Sequence, residues 1–207
     1  MSSAASRHAV PLPTKASHGQ ALETLVRAFI TDPMFTFIFQ RPEQREHDLR
    51  RLFAGSLRHA ALVGGVSVVD EGLGVALWTP RDSMSVSFTA AWRAGMLTLP
   101  FTVGPSSFRR LDRFEHELDG HTRTAAGSDF AYVWLLGAHP DAQGRGLGRA
   151  ALERALTSMR ERGFTRCVLR TQQPRNVSLY RHLGFHELAR HTPGWAPLET
   201  VIFGRDL

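Results

Sequence analysis

Apolar positions along the chain recur with two different periods, and their alternation outlines an α/β protein. Leu22, Leu25, Val26, Phe29 and Ile30 fall at helical spacing; Ser17 and Gln20 form a capping pair ahead of them and Pro33 stops the run. A second helix is predicted to open at Pro42, with Leu49, Leu52, Phe53, Leu57 and Ala60 on one face. A short strand is expected near residues 9–12. Residues 66–69 and 73–78 read as a hairpin turned at Asp70-Glu71-Gly72. Residues 81–129 are the least regular part, with helical stretches near 84–98 and 106–118. After them the pattern predicts a strand over 130–136, a helix over 147–162, a strand over 165–171, a helix over 176–183, and strands near 185–191 and 198–204. The organisation expected is one domain over residues 1–207, with a helical insertion at about 81–129 between the third and fourth strands.

The most informative junction is where the run Tyr132-Val133-Trp134-Leu135-Leu136 gives way to a helix carrying Ala150, Ala151, Leu152, Ala155, Leu156 and Met159. Between them lies Gln143-Gly144-Arg145-Gly146-Leu147-Gly148. A glycine-rich turn feeding a helix leaves backbone N–H groups without partners, and the helix dipole adds partial positive charge there. That combination suits a phosphate or pyrophosphate, with Arg145 and Arg149 beside it. A Walker loop is excluded, because Gly148 is followed by Arg149 and Ala150 rather than by Lys and Ser or Thr. A dinucleotide fingerprint counted from Gly144 fails at its third glycine, which is Arg149. A plain strand-to-helix turn without a ligand is the alternative.

Pro174-Arg175-Asn176-Val177-Ser178-Leu179-Tyr180-Arg181-His182-Leu183-Gly184-Phe185 forms a second signature. Asn176 reads locally as an N-cap and Gly184 as a left-handed stop, and Tyr180 could be a core aromatic. Taken together, the Gln-x-x-Gly-x-Gly turn and the Asn-and-Tyr helix ending in Leu-Gly-Phe resemble the GNAT superfamily of acyl-CoA-dependent N-acetyltransferases over about residues 130–190. The run Val75-Ala76-Leu77-Trp78-Thr79-Pro80 and the turn Gln173-Pro174-Arg175-Asn176 extend the likeness toward its puromycin N-acetyltransferase-like branch, without naming puromycin as substrate.

The resemblance implies a GNAT fold, a mixed and mostly antiparallel sheet flanked by helices. It implies acetyl-CoA as acyl donor, its pyrophosphate on the amides of Gly144, Arg145, Gly146, Leu147, Gly148 and Arg149 after Gln143. It further implies a pantetheine arm along the backbone of Leu136, Gly137 and Ala138, with Asn176 beside it. An N–H near Ala138 would face the thioester oxygen, and Tyr180 would protonate the departing thiolate. Puromycin-type relatives carry an acidic residue before the Thr or Ser of strand five, where this chain has Arg170 in Leu169-Arg170-Thr171. Arginine takes no proton at neutral pH. The base therefore stays open among His139, His182, Glu187, Glu199 and a water chain. Arg170 itself reads either as a surface arginine or as a binder of a substrate carboxylate or phosphate.

Composition trims the remaining classes. A length of 207 residues suits a full core, and 43% hydrophobic with 21% charged residues is ordinary for a globule. The formal charge of +6 is scattered, nearly all arginine, with no basic block or aromatic-basic interleaving, so nucleic acid is not the expected partner. No apolar stretch is long enough for a membrane span and no signal peptide is evident. The single Cys167 fits a reducing cytoplasm and reads as buried filler. His182 and His186 lack further ligands, so no metal is expected. Phe88, Trp92, Met96, Leu99 and Phe101 form either a core stripe or an acceptor pocket. The function expected is acetyl transfer from acetyl-CoA to the primary amine of a small molecule, in a protein compatible with a homodimer. A protein lysine or N-terminal acetyltransferase and a non-catalytic acyl-CoA-binding module are the alternatives.

Overall fold

The computed structural model describes residues 15–207, so the strand expected at 9–12 lies outside the described residues. Two helices open the described chain on either side of a short one: α1 (Lys15–Phe29), α2 (Pro33–Ile38) and α3 (Pro42–Val63). The hairpin follows as β1 (Gly65–Val69) and β2 (Gly74–Pro80). Its turn places Asp70 and Glu71 at positive φ, 48° and 54°, a region that short polar residues tolerate better than most. The irregular middle resolves into α4 (Phe88–Arg93), α5 (Leu99–Thr102) and α6 (Pro105–Ala126). Then come β3 (Ala131–Ala138), α7 (Leu147–Glu161), β4 (Arg166–Thr171), α8 (Pro174–His182), β5 (His186–His191) and β6 (Thr200–Asp206).

Among the described residues six strands form one sheet in the order β1-β2-β3-β4-β6-β5. Every neighbouring pair is antiparallel except β3 and β4. This is the mixed, mostly antiparallel sheet the sequence predicts. Alternation along β2 sorts its side chains to two cores. Val75 and Leu77 join a cluster built from α1, α2, α3 and α6, while Ala76 and Trp78 join one closed by α7 and α8. The α7 face that enters the core is Ala151, Leu152, Ala155, Leu156 and Met159; Ala150 lies outside it.

Three local readings of the sequence are corrected. Helix α1 begins at Lys15, so Ser17 sits inside the helix rather than capping it. Pro33 does more than stop α1: Asp32 caps α2 by accepting from the Met34 N–H at 2.9 Å, with Pro33 in the first turn. In the same way Pro174 starts α8 two residues before Asn176, and the capping position falls to Gln173.

The feature that positions the site is an irregularity in β3. Leu77 faces Leu135 and Trp78 faces Val133, which leaves Trp134 as an extra residue in β3. A bulge of this kind bends the strand that carries it. On its other side β3 pairs with β4 only over Ala131–Val133. From Trp134 to Ala138 no strand among the described residues covers that edge, so the sheet opens like a V between β3 and β4.

Candidate functional site

A cleft of about 70 Å³ lies at this opening, lined by Leu136 and Trp134 from β3, Arg170 and Thr171 from β4, Asn176 and Tyr180 from α8, and Asp32. Tyr180 is buried, with its ring 5.8 Å from Phe203 and 6.0 Å from Phe185. It is both a core aromatic and part of the cleft wall. Burial, aided by the negative charge of Asp32, holds its phenol well above the usual range, so it keeps its proton at neutral pH. The Asn176 Nδ2 donates to Thr171 Oγ1 at 3.4 Å, which ties α8 to the end of β4. Asp32 is also raised by burial, against the pull of the Met34 and Phe35 N–H groups it caps.

Gly137 and Ala138 continue the open edge of β3. At Gly137 a Cβ would meet the Ala28 Cβ at 3.1 Å, so the glycine also lets α1 cross close over the strand. Beyond it the chain passes through the short turn Pro140–Ala142 to Gln143 and the glycine-rich turn. Gly144 and Gly146 take φ of 79° and 74°, a conformation that disfavours any side chain. Nothing lies within 4 Å of a Cβ built at Gly144, Gly146 or Gly148. No side chain caps α7, so its first-turn amides face open space at the positive end of a 15-residue helix. Arg145 is half-exposed and pairs with Asp70 of the hairpin turn at 2.8 Å; Arg149 is exposed. Open strand edge, glycine-rich turn and Tyr180-Asn176 helix thus follow one another along the chain around the cleft.

A second, larger cavity of about 450 Å³ lies beneath the middle helices. Phe88, Met96, Leu99 and Leu111 contribute to its apolar wall, and Asp112, Glu115 and Asp119 of α6 supply carboxylates. The stripe in question therefore divides. Phe88, Met96 and Leu99 line the cavity, whereas Trp92 and Phe101 project outward, 70% and 85% exposed.

Arg170 is neither of the things its sequence position suggests. Its side chain is 4% exposed and its guanidinium makes three hydrogen bonds within the protein. It donates to Glu115 Oε2 at 2.6 Å, to Asp119 Oδ1 at 3.0 Å and to the Tyr132 hydroxyl at 2.7 Å. Burial alone would lower its affinity for a proton, but Tyr132, Glu115 and Asp119 more than offset this and keep it charged. It is an internal counter-ion to helix α6, with each of its three nitrogens bonded within the protein.

The side chains considered as bases lie elsewhere. His139 caps the Pro140–Ala142 turn through its Nδ1, and His182 bonds the Ser178 carbonyl at 2.7 Å. Glu187 pairs with Arg190 and Arg181, which hold its carboxyl below the usual range, and Glu199 pairs with Arg190. None of the four lines either cavity. The acidic groups that do, Asp32, Asp112, Glu115 and Asp119, were not singled out from sequence. A signal existed: Glu115 and Asp119 interrupt the face on which Leu111, Phe114, Leu118 and Thr122 are buried.

Glu117, His121 and His191 bring their ligand atoms within 4.8 Å of one another, a grouping the sequence did not reveal. The two imidazoles stack at 3.6 Å, 24° from parallel, so their in-plane lone pairs run side by side instead of converging. Glu117 is occupied by His191 at 2.7 Å and Trp195 at 2.8 Å. The cluster is accounted for as a hydrogen-bonded tie between α6 and β5.

Comparison with known proteins agrees with this architecture. Residues 103–185 match the model of the Acetyltransferase (GNAT) family, a span holding both the glycine-rich turn and Tyr180. The structure of arylalkylamine N-acetyltransferase 2 from Aedes aegypti superposes with a TM-score of 0.60 at 13% identity, covering 95% of this chain and 97% of that one. The structure described as histone acetyltransferase HPA2 and related acetyltransferase, from Corynebacterium glutamicum, gives 0.61 at 22% identity, covering 93% and 92%. The mycothiol acetyltransferase of Beutenbergia cavernae is 46% identical over 61 residues, 28% of this chain and 20% of that protein. The chain spans only about a fifth to a quarter of the length of the curated relatives it matches. The fold of the chain is the GNAT fold, and residues 103–185 within it match that acetyltransferase family. Among the described residues no helix is long and apolar enough to cross a membrane.

Proposed function

We propose that the protein transfers the acetyl group of acetyl-CoA to the primary amine of a small molecule with an apolar body. One observation carries this reading. The cleft that holds Tyr180 and the 450 Å³ apolar cavity share Met34, Phe35, Glu115, Trp134 and Leu135 as lining, so donor and acceptor spaces meet at the β3 bulge.

In this reading the amides of residues 144–149 receive the pyrophosphate, with Gln143, Arg145 and Arg149 around it, and fix the far end of the donor. Leu136, Gly137 and Ala138 offer backbone groups to the peptide-like pantetheine arm, as a strand edge does to an added strand, and Asn176 flanks it. Binding at these distant points holds the thioester at the bulge for direct attack by nitrogen, through a tetrahedral intermediate. A backbone N–H near Ala138 stabilises its oxygen. Tyr180 stays protonated because it is buried, and it supplies the proton the leaving thiolate needs.

The branch likeness at 75–80 and 173–176 supports a small-molecule acceptor, as does the likeness in fold to arylalkylamine N-acetyltransferases. A cavity roofed by α4, α5 and α6 suits a compact acceptor better than an extended peptide. A buried lone cysteine fits action in the reducing cytoplasm. A thiol-release assay with acetyl-CoA tests the proposal across alkyl and arylalkyl amines, aminoglycosides, nucleoside-type amines and peptides. Turnover is expected with apolar primary amines. Donor binding with no release in the presence of any amine would leave only a non-catalytic acyl-CoA module.

A further inference from the structure

We infer that Glu115, at the neck joining the two spaces, receives the ammonium of the acceptor and takes its proton, and that the acceptors so selected are apolar amines without a carboxylate. This rests on the acetyl-transfer reading above and adds to it the missing base and the class of substrate.

Glu115 is the one ionisable residue common to the linings of the cleft and the cavity among the described residues. Its Oε2 accepts from Arg170, and its Oε1 has no partner among the described residues. Asp119, by contrast, is spent: Oδ1 accepts from Arg170 and Oδ2 from the Ser85 hydroxyl at 2.7 Å. Its side chain is 8% exposed, against 27% for Glu115, as expected if only Glu115 borders open space.

The charge balance completes the argument. With Glu115 ionised, one guanidinium faces two carboxylates and the cluster carries a surplus negative charge beside an apolar cavity, where an unmatched charge is costly. A single ammonium at Glu115 Oε1 neutralises it. The 450 Å³ cavity has Asp112, Glu115, Asp119 and His116 in its wall and, among the described residues, no lysine or arginine. The carboxylate of an amino acid would meet three carboxylates there, and the nearest guanidinium, Arg170, already bonds two of them.

The groups facing Glu115 are Arg170 from β4, Asp119 from α6, Tyr132 from β3, and, across the cleft, Asp32 and Tyr180. Burial raises the Glu115 carboxyl and the Asp119 charge adds to this, while Arg170 pulls the other way; the balance is upward. A raised carboxyl is a stronger base, suited to an alkylammonium. The protons balance as follows. The ammonium gives one to Glu115, which returns it to solvent. The neutral nitrogen bonds the acyl carbon to give the tetrahedral adduct, whose collapse breaks the carbon–sulfur bond. Tyr180 protonates the sulfur and recovers a proton from the nitrogen of the adduct.

The test compares two acceptors with one arylalkyl body: the alkylamine, protonated at pH 7, and the corresponding alkoxyamine, neutral there. E115Q is expected to lose about 10²-fold in kcat/KM with the alkylamine but less than about tenfold with the alkoxyamine. The acid limb of the wild-type pH profile should disappear with it. E115D, which keeps the charge and withdraws it from the neck, should fall between them and serves as well if the amide variant is unstable. The parent amino acid should be a poorer acceptor for wild type than its decarboxylated amine. Equal losses on both acceptors, or an unchanged alkylamine rate, would overturn the assignment while leaving acetyl transfer intact. A wild type that releases thiol with no amine at all would remove both.

Discussion

The half of the molecule proposed to receive the acyl donor and the half proposed to receive an acceptor are built on different principles. The donor side, from the open edge of β3 through the glycine-rich turn to α8, presents mostly backbone: amides at 144–149 and a strand edge at 136–138. The acceptor side presents side chains. Its apolar wall comes from α4, α5 and α6, and its charge cluster joins Glu115 and Asp119 of α6 to Tyr132 of β3 and Arg170 of β4. Backbone recognition of a constant ligand tolerates wide change elsewhere in the sequence. Side-chain recognition across five elements can be re-specified by a few substitutions.

The largest effect should come from breaking the acceptor cluster at its buried cation. Arg170→Glu would set a third carboxylate against Glu115 and Asp119 with nothing to offset them. Removing one partner of a buried pair costs about 3–5 kcal/mol, and chemical denaturation should show at least that loss. Near wild-type stability would mean that Arg170 is not the counter-ion described.

Next in size is Tyr180→Phe. The change keeps the ring against Phe185 and Phe203, so stability should hold, while kcat falls by about 10²-fold with donor affinity nearly unchanged. Equal turnover, with chemistry rate-limiting, would remove Tyr180 from proton transfer.

The pH dependence distinguishes the acceptor cluster from the surface ion pairs by sign. Glu115 is raised, so ionising it costs stability: its contribution is full below the unfolded carboxylate value and is lost as pH rises through the folded one. Activity runs opposite to this, since only the ionised form accepts a proton, and kcat/KM should rise along a limb above the ordinary carboxylate range. Glu23 and Glu187 are lowered by their arginine partners, so their stabilisation is present above the usual value and fades as pH falls. A rate limb lying at or below the ordinary carboxylate range would point away from Glu115.

The smallest effect is expected at the cavity mouth. Phe88 lines the cavity yet is 77% exposed, so Phe88→Ala should scarcely change the melting temperature. It should raise KM for bulky apolar acceptors by about fivefold, equivalent to about 1 kcal/mol of lost contact, and leave small amines unaffected. A uniform rise across all amines would argue against contact with the acceptor body.

This contrast also explains what could be read from sequence. Most helices and strands declared themselves by period, because each buries one face; α2 escaped because six residues are too few for a period, although Asp32-Pro33 spelled its start. The conformation of the glycine-rich turn was legible because it is local, and Gly144 and Gly146 take the positive φ that their spelling implies. Arg170 was misread, since its partners lie 38 to 55 residues away along the chain. The same distance hid Glu115 and Asp119, as no pattern within α6 says which cation a carboxylate will meet. Sequence reading finds recognition that is continuous in the chain and loses recognition assembled by the fold.

A calorimetric titration of coenzyme A into three proteins tests this division of labour most directly: wild type, Gly146→Val and Glu115→Gln. The β-branched side chain at Gly146 must enter a backbone region that costs about 1–3 kcal/mol or reshape the turn. The wild type should bind, Gly146→Val should bind at least about tenfold more weakly, and Glu115→Gln should match wild type within a few-fold. No heat with wild type, or equal weakening in both variants, would contradict the account.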